Sequence, residues 1–435
     1  MSQPTGSLAD DAPRRALISR ALYSLVLRLL FPMVLLLTCR GVAGQRRQCL
    51  ADRLGLAQPG GKSPVLWLHA ASVGEVNGAR PLIEALLSAY PGHELRLTTM
   101  TATGAARARE LFGERIHHSF LPLDTPGATR RFIDRLRPQV AIIMETELWP
   151  NLYYQLWCEQ VPLVLANARI SPGTFSAYRR LGNLMQATLA ATTRVGAQSE
   201  ADAQRLRILG AGHCEVAGNL KFDIELPADA RDQGLQWRRE WAASRPVWIA
   251  ASTREGEEPH ILSALQDMPA EVLLILVPRH PQRFDDVAAL CQRQGLALVR
   301  RSRGELPSAD TRVFLGDTMG ELVKLYATAD VAFVGGSLVA LGGQNPLEPA
   351  ALGVPVLTGP SRYNFEAIAA QLQSAGALDI VGDAGELAVA VKRLLADESA
   401  RQHMGQSGRD LVKANRGASD RYLAMVQAVL SEHKN

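Results

Sequence analysis

The chain has 435 residues, 47% hydrophobic and 21% charged, which is enough for two or three domains with sizeable cores. Its net charge of only +4 does not favour a nucleic-acid partner. The five cysteines are widely spaced and form no C-x-x-C motif. This pattern argues against a disulfide framework or a structural zinc site, and it fits a reducing cytoplasm.

The N-terminal segment is both basic and apolar. Residues 21–37 read ALYSLVLRLLFPMVLLL, slightly shorter than the ~20 apolar residues that span a bilayer. No A-x-A-like cleavage site follows, which argues against a signal peptide. The arginines nearby suit an anionic membrane surface: Arg14, Arg15, Arg20, Arg28, Arg40, Arg46 and Arg47. We expect residues 1–45 to be a membrane anchor, spanning or interfacial; a buried docking helix is the alternative.

From residue 64 onward, apolar strand-like runs alternate with helical patterns. Strands are predicted at 64–69, 94–99, 139–144 and 161–166, with helices at 79–89, 104–112 and 128–136. A polar stretch at 225–236 predicts a linker. Strand-like runs resume at 245–250, 271–277, 296–299, 311–315, 330–335 and 354–358, and amphipathic helices are predicted at 386–395 and 420–430.

This alternation predicts an α/β protein with two Rossmann-like, doubly wound parallel-sheet domains. Their expected bounds are 46–226 and 227–435, and the last helix could pack back on the first domain. Ligands should bind in the crevice between the two, outside the carboxyl ends of the strands.

Polar residues follow the first predicted strand in the run HAASVGE, which contains Ser72, Gly74 and Glu75. A strand that leads through small residues into a helix places backbone N–H groups at the edge of the sheet. Glu75 could there take a proton from an acceptor hydroxyl. The alternative is a glutamate that complements the helix dipole.

Two further motifs of the first half place charges at strand ends. Glu145 and Glu147 follow the third predicted strand in METELWP, where they could steer an acceptor or compensate positive charge, or simply cap a helix. Lys221 lies in the glycine turn GNLK beside the linker. It could hold an anionic donor, or it could be a solvated surface charge.

Clustered hydroxyl, arginine and histidine groups follow the strands of the second half, as phosphate and carboxylate ligands require. The alternative is a set of helix caps and solvated charges. The candidate donor-binding residues here are Ser252, Thr253, Arg254, Pro278, Arg279, Met319, Gly320 and Glu321.

A glycine-rich segment then predicts a nucleotide site. Gly336 and Ser337 end a strand, and NPLEPA opens a helix with Asn345, Pro346, Leu347 and Glu348. Glycine lets a backbone approach phosphates closely, and Glu348 could accept hydrogen bonds from ribose hydroxyls. A plain glycine turn is the alternative.

In order and spacing, these motifs over residues 66–365 resemble the Kdo (3-deoxy-D-manno-octulosonic acid) transferases, GT-B glycosyltransferases of lipopolysaccharide assembly. The resemblance implies an inverting transfer of Kdo from CMP-Kdo to lipid IVA at the cytoplasmic face of the inner membrane. It implies no cofactor and no metal, and its partners would be the donor, the acceptor and inner-membrane lipids.

The resemblance also implies roles for single residues. Glu75 in S-V-G-E matches the general base, and Glu145 and Lys221 match residues that stabilise the transition state. Ser72, Gly74 and Glu147 would lie on the acceptor side. The CMP-binding segments match Pro278 and Arg279, Met319 to Glu321, and Asn345 to Glu348.

Three positions depart from the family pattern, which often has histidine where this chain has Arg254, Gln344 and Ser361. Because histidine titrates near neutrality and these residues do not, donor affinity or its pH dependence should differ. Two other functions stay open: another GT-B-like nucleotide-sugar enzyme, such as a UDP-sugar transferase or epimerase, and a membrane-tethered nucleotide-binding scaffold without activity.

Overall fold

The computed structural model describes residues 8–39, 46–242 and 245–433, with side chains from residue 16 onward. Arg40 lies outside the described residues, as do the side chains of Arg14 and Arg15. The chain divides into two compact units. Unit 1 comprises Met1–Asp223 and Arg416–Asn435, and unit 2 comprises Ile224–Asn415.

In the described part of the chain, unit 1 contains a parallel sheet of seven strands in the order β3-β2-β1-β4-β5-β6-β7. The strands are β1 (Val65–His69), β2 (Glu94–Thr99), β3 (His117–Phe120), β4 (Pro138–Met144), β5 (Leu163–Ala168), β6 (Arg194–Ala197) and β7 (Cys214–Val216). Strands β1 and β5 are buried along their whole length. Their continuous apolar runs are typical of strands that helices cover on both faces.

Helices precede and connect the strands of unit 1. They are α1 (Leu8–Cys39), α2 (Arg46–Arg53), α3 (Val73–Ala89), α4 (Ala102–Phe112), α5 (Pro126–Leu136), α6 (Pro150–Cys158), α7 (Pro172–Arg180), α8 (Asn183–Ala190) and α9 (Glu200–Ile208). Single-turn 3₁₀ helices lie at Gly113–Arg115 and Leu220–Phe222.

Unit 2 repeats this architecture with strand order β10-β11-β9-β8-β12-β13-β14. Its strands are β8 (Val247–Thr253), β9 (Leu273–Pro278), β10 (Leu298–Arg300), β11 (Val313–Leu315), β12 (Val331–Val334), β13 (Val356–Thr358) and β14 (Leu378–Ile380). Its helices are α10 (Ala230–Ala242), α11 (Glu258–Gln266), α12 (Phe284–Arg293), α13 (Leu322–Tyr326), α14 (Leu347–Leu352), α15 (Glu366–Ser374), α16 (Ala384–Ala396) and α17 (Glu398–Asn415), with 3₁₀ turns at Pro281–Arg283 and Arg301–Arg303.

The predicted pair of doubly wound parallel sheets is confirmed, but the strand count of the first sheet is not. The structure adds β3, β6 and β7, short strands that contain histidine, arginine or glutamate and so lack a long apolar run. Glu145 consequently follows the fourth strand of the sheet rather than the third.

The predicted linker at 225–236 is too long, because helix α10 begins at Ala230. The many polar residues of α10 made this stretch resemble a linker, although the helix also has an apolar face. Trp237 and Trp241 stack with ring centroids 4.9 Å apart, and Trp241 packs against Phe314 of β11 at 4.8 Å. The helix therefore belongs to the core of unit 2.

The last helix, α18 (Ala418–Glu432), belongs to unit 1. Its buried face joins the core on one side of the first sheet. The Tyr422 hydroxyl donates to the carbonyl oxygens of Gly196 at 3.0 Å and Gly218 at 2.9 Å. A Cβ atom at Gly196 would lie 2.3 Å from the Tyr422 ring, so only glycine permits this close approach.

Helix α1 contains the predicted 21–37 segment, and its stretch Ala16–Cys39 is long and apolar enough to cross a membrane. One face of α1 packs against the rest of unit 1. The Tyr23 hydroxyl donates to Asp124 at 2.9 Å, and the Ser24 hydroxyl donates to Asn151 at 3.0 Å. Large apolar side chains cover the other face and are exposed: Leu17, Ile18, Leu22, Leu25, Val26, Leu29, Leu30, Met33, Leu36 and Leu37.

Candidate active site

The turn from β1 into α3 holds Glu75 at the carboxyl end of the first sheet. Ser72 is the N-cap of α3, and its Oγ accepts from the Glu75 N–H at 3.4 Å. The Glu75 carboxylate accepts from the Ala71 N–H at 2.8 Å and from the Ser72 hydroxyl at 3.1 Å. This arrangement is a variant of the capping box in which the backbone donor is Ala71, the residue before the N-cap, so the helix-start alternative describes part of what Glu75 does. Gly74 lies exposed in the same turn.

The surroundings of Glu75 make it basic for a carboxylate. Burial, together with the charges of Glu145 and Glu147, raises its pKa to about 7, although the hydrogen bonds from the Ala71 N–H and the Ser72 hydroxyl act in the opposite direction. A carboxylate with a pKa near neutrality can take a proton from a hydroxyl at physiological pH. The first position that the sequence selected therefore has the properties of a general base.

Glu145 and Glu147 do not cap a helix. The N-cap of α6 is Trp149, and the backbone N–H groups of Asn151 and Leu152 donate to the buried Asp124 carboxylate at 3.1 and 2.8 Å. Glu145 instead has a φ of +55°, uncommon for a residue other than glycine and frequent at functional sites. Burial and the charge of the neighbouring Glu145 raise the pKa of Glu147, whereas the nearby Trp149 side chain lowers it. Neither carboxylate therefore serves as the cap of α6.

Lys221 belongs to the same cluster. Its side chain lies along α3, with Cε 3.9 Å from where a Cβ of Gly78 would be, one turn after Glu75. Burial lowers the pKa of Lys221, the charges of Glu145 and Glu75 raise it, and Arg169 lowers it. The structure thus brings Ser72, Glu75, Glu145, Glu147 and Lys221 together, although 146 residues separate Glu75 from Lys221 in sequence (221 − 75).

Sequence reasoning missed Asn167 and Arg169, which end and follow β5. The buried Asn167 has a φ of +55°, and its Oδ1 accepts from the Leu220 N–H at 3.1 Å, which fixes the turn that carries Lys221. The Arg169 N–H donates to the Thr146 hydroxyl oxygen at 3.2 Å and so ties the loops after β4 and β5 together. The run N-A-R directly after a strand was the available signal.

A cluster of positive charge follows strands β8 and β9 in unit 2. An Arg254 Nη1–H donates to His280 Nε2 at 2.8 Å, so this nitrogen of His280 is unprotonated. Burial, then Arg254, Arg279 and Arg283, lower the pKa of His280. Arg283 is held by the buried Glu258 through two bonds of 2.6 and 3.0 Å. Arg279 is exposed, whereas Arg254 and Arg283 are half-buried.

The direct phosphate contacts predicted for Gly336 and Ser337 are not available in this structure. Their N–H groups, with that of Leu338, donate to the buried Glu257 carboxylate at 2.5, 2.8 and 2.9 Å. Glu257 also accepts from the Arg254 N–H at 2.9 Å. The Glu257 carboxylate occupies the turn in which an anionic ligand would bind. The backbone at Gly336 and Ser337 can therefore only fix the shape of the nucleotide site. Three of the candidate donor-binding residues are fully buried: Thr253, Ser337 and Leu347.

Other donor candidates lie at the same edge of unit 2. Burial raises the pKa of Glu348, while Asn345 and Arg279 lower it, so Arg279 and Glu348 are close. Glu321 is engaged by Arg301 at 2.9 and 3.1 Å, next to the exposed Met319 and the turn residue Gly320. Ser252, the last residue but one of β8, has a φ of +56°. Pro278 and Pro346 are buried at the ends of β9 and the start of α14.

The three departures from the family pattern lie around one loop. A Cβ of Gly336 would lie 3.1 Å from the Gln344 side-chain nitrogen and 3.4 Å from Arg254 Cγ. The Ser361 hydroxyl oxygen accepts from the Gly342 N–H at 2.9 Å. The changed residues therefore form one neighbourhood.

Among the described residues, no group of three or more His, Cys, Asp or Glu side chains is placed to hold a metal ion.

Comparison with known proteins gives two family matches. Residues 48–224 match the family described as 3-deoxy-D-manno-octulosonic-acid transferase (kdotransferase), and residues 298–411 match glycosyl transferases group 1. The chain is 40% identical to the 3-deoxy-D-manno-octulosonic acid transferase of Haemophilus influenzae over 89% of this chain and 92% of that one. It is 40% identical to the Bordetella pertussis transferase of the same name over 93% and 98%.

Solved structures with a similar fold are more distant in sequence. The chain resembles MurG of Acinetobacter baumannii with a TM-score of 0.57 and 14% identity, over 84% of this chain and 99% of that one. It also resembles a UDP-N-acetylglucosamine 2-epimerase of Listeria monocytogenes, with a TM-score of 0.52 and 13% identity, over 86% and 98%. Because transferases and epimerases share this fold, the fold alone does not choose between them.

Proposed function

Because this chain belongs to the 3-deoxy-D-manno-octulosonic acid (Kdo) transferase family and is a glycosyltransferase, we propose that it transfers Kdo from CMP-Kdo to lipid IVA. The reaction would be a single displacement with inversion. The acceptor hydroxyl oxygen bonds to the anomeric carbon of Kdo, its proton passes to a base, and CMP leaves as an anion.

The observation that carries this proposal is the Glu75 cluster of unit 1. Glu75 has a pKa of about 7 and accepts hydrogen bonds that fix the direction of its carboxylate. A base of this strength, held on a helix N-terminus, suits proton removal from a sugar hydroxyl. Gln in this position would keep the shape and lose the basicity.

Lys221 and Glu145 supply charge beside that base. Lys221 is half-buried, where its charge acts through less solvent than on an open surface. We propose that it stabilises the negative charge that develops in the transition state, and that Glu145 offsets positive charge on the sugar. Glu147, Ser72 and Gly74 would contact the acceptor.

Unit 2 would bind the donor. Arg254 and Arg279 carry the positive charge that a CMP phosphate requires, and Glu348 is placed beside Arg279 to accept from ribose hydroxyls. These side chains can stabilise CMP as a leaving anion, so we expect the reaction to proceed without a metal or cofactor.

The apolar face of α1 would hold the enzyme at the membrane that contains its acceptor. The opposite face is bonded to Asp124 and Asn151, so unit 1 lies along the helix. A helix that is surrounded by lipid on all sides could not keep these contacts. We therefore propose an interfacial position at the cytoplasmic face of the inner membrane, with Arg28, Arg46 and Arg47 near anionic headgroups.

The test is to incubate the purified, detergent-solubilised protein with CMP-Kdo and lipid IVA and to resolve the products by mass spectrometry. We expect lipid IVA to gain the mass of one or more Kdo units and CMP to be released. A parallel reaction with UDP-N-acetylglucosamine checks the alternative donor class and should give no product.

Two results would contradict the proposal. Transfer from the UDP-sugar but not from CMP-Kdo would mean that the donor is wrong. Binding of CMP without any transfer to lipid IVA would mean that the acceptor is wrong or that the chain is a nucleotide-binding scaffold.

A further inference from the structure

A groove of about 450 Å³ lies between helices α1, α6 and α8 of unit 1, and the proposed mechanism does not use it. Its lining is almost wholly apolar. Helix α8 contributes Leu184, Ala187 and Thr188, and Ala191 follows directly after the helix, so that the four have the i, i+3, i+4, i+7 spacing of one helix face. Helix α6 contributes Pro150, Tyr154 and Trp157 in a similar way. Ala16, Leu17 and Arg20 of α1 close the third side.

Small residues keep this groove open. Where α8 faces α1 and α6 it presents alanines, and Ala187 and Ala190 remain exposed. Larger side chains at these positions would fill the space between the helices, as in an ordinary packed core. Large apolar side chains are instead exposed at its rim, where Leu17 is 49% and Trp157 63% accessible. Such surface usually marks a contact with a lipid, ligand or partner.

The groove is continuous with the face of α1 that we assign to the membrane. Leu17 belongs to both, and the next exposed side chains along the helix are Ile18, Leu22 and Leu25. Arg20 is the charged residue of the lining, and its guanidinium lies 3.4 Å above the Tyr154 ring. A cation in the lining of an apolar groove fits a molecule with an anionic head and hydrocarbon chains.

The groove also begins near the candidate active site. Pro150 lies three residues after Glu147, so their Cα atoms are within about 10 Å of each other. Helix α6 then runs for nine residues, roughly 13 Å, with Tyr154 and Trp157 facing the groove. A lipid whose head reaches Glu147 can therefore place a chain along α6.

From this continuity we propose that the groove binds an acyl chain of the lipid acceptor and so sets the register of its sugar head at Glu75. The proposal rests on the proposed function and deepens it, because it makes chain occupancy part of acceptor recognition. A chain of a bulk membrane phospholipid is the other occupant that the test must separate.

The test compares two acceptors, lipid IVA and lipid IVA from which the acyl chains have been hydrolysed, in the wild type and in Ala187→Trp. Ala187 is exposed, so the indole fills the groove without entering the core. We expect a ten- to hundred-fold loss of kcat/KM with lipid IVA, because excluding two or three methylene groups from an apolar site costs roughly that factor. With the deacylated acceptor the variant should match the wild type.

The matched control is Ile208→Trp, which puts the same indole on an exposed position of α9 in the same unit. It should leave both acceptors unaffected. Equal loss with both acceptors in Ala187→Trp, or no loss with either, would overturn the proposal. Thermal unfolding of the variants shows that each is folded.

A binding measurement separates this proposal from the proposed function. Native mass spectrometry of the detergent-solubilised protein should show a 1:1 complex with lipid IVA that Ala187→Trp weakens and Ile208→Trp does not. If the wild type transfers no Kdo but still shows this difference, the groove stands and the reaction is wrong. Equal binding of phosphatidylglycerol would assign the groove to bulk lipid and overturn the choice of the acceptor.

Discussion

Glu75 lies between influences that act on its proton affinity in opposite directions. Burial and the charges of Glu145 and Glu147 raise its pKa, and two hydrogen-bond donors lower it, for a value of about 7. The donors also fix the carboxylate in the capping box of α3. Glu75 therefore has the structural role at the start of α3, and this role is compatible with the chemical role that we propose for it.

The first prediction concerns that chemical role. Glu75→Gln keeps the size of the side chain but removes its basicity, so kcat for Kdo transfer should fall by roughly two to four orders of magnitude. Because the pKa is higher in the folded protein than the usual 4.5, Glu75 stabilises the fold at low pH, and this contribution is lost as the pH rises through about 7. The variant should therefore be at least as stable as the wild type at pH 8.

The matched control is Glu84→Gln on the same helix, whose partner is Arg115. Its transfer rate should stay within a factor of two or so of the wild type, as expected for an ion pair near the surface. Near-normal turnover in Glu75→Gln would remove Glu75 from the mechanism.

The second prediction is a pH profile. A general base acts in its unprotonated form. The profile of kcat/KM should therefore have one limb, which rises with pH around an apparent pKa of about 7 and levels off at higher pH. Glu145→Gln removes a charge that raises the pKa of Glu75, so its limb should lie at lower pH, whatever the loss of rate. A limb that stays in place in Glu145→Gln would show that the titrating group is not Glu75.

At the scale of elements, the loop after β12 is held by a carboxylate from the start of α11. Glu257 accepts from four backbone N–H groups, at Arg254, Gly336, Ser337 and Leu338. The Glu257 carboxylate already fills this turn, so its N–H groups are not available to a ligand. The loop also places Arg254 and Gln344 side by side.

The third prediction tests that support. Glu257→Ala leaves buried N–H groups without an acceptor, so unit 2 should lose about 2–4 kcal/mol of stability and CMP should bind more weakly. Calorimetry measures both. Glu257→Gln keeps one acceptor oxygen and should lie between, and the exposed Glu255→Gln in the same turn should change neither. Unchanged CMP affinity in a destabilised Glu257→Ala would mean that the loop does not shape the nucleotide site.

At the scale of the whole molecule, the chain crosses from unit 1 to unit 2 and returns. Helix α18 supplies Tyr422, Met425, Val426 and Val429 to the core of unit 1. Its N-terminus is fixed by Asp223, which accepts from the Gly417 N–H at 2.7 Å. The two ends of the excursion into unit 2 are thus bonded to each other.

The fourth prediction follows from that return. Removal of residues 416–435 uncovers the core of unit 1, so hydrogen exchange should become fast in β1, β4 and β6 while unit 2 keeps its protection. Tyr422→Phe, which loses only the hydroxyl bonds, should cost about 1–2 kcal/mol and keep the exchange pattern. Uniform loss of protection in both units would contradict two separately stable units.

The fifth prediction concerns the membrane face of α1. Leu22→Glu combined with Leu29→Glu places two charges on exposed apolar positions, so binding to anionic vesicles should fall by roughly a hundred-fold or more in a flotation assay. Leu235→Glu combined with Leu306→Glu changes two exposed leucines of unit 2 in the same way and should leave binding intact. Equal binding of all three proteins would exclude α1 as the anchor.

The sequence by itself determined the class of fold and the edge on which the chemistry lies. Continuous apolar runs such as those of β1 and β4 can only be doubly covered strands, and the residues after them must lie at the carboxyl edge of a sheet. Glu75 and Glu145 could be selected for that reason, before any distance was known, and Lys221 could be selected from its glycine turn. The apolar run of α1 was equally visible because it needs no partner to be recognised.

Only the tertiary structure decided what depends on contacts between distant residues. It assigned the cap of α6 to Asp124 rather than to Glu145 or Glu147, and the turn at Gly336 to Glu257. In the folded protein, the pKa of Glu75 is raised by burial and by the charges of Glu145 and Glu147, which are about 70 residues away in sequence (145 − 75, 147 − 75). Local sequence sets the period and direction of each element, whereas burial, charge coupling and the pairing of buried polar groups depend on which elements pack together.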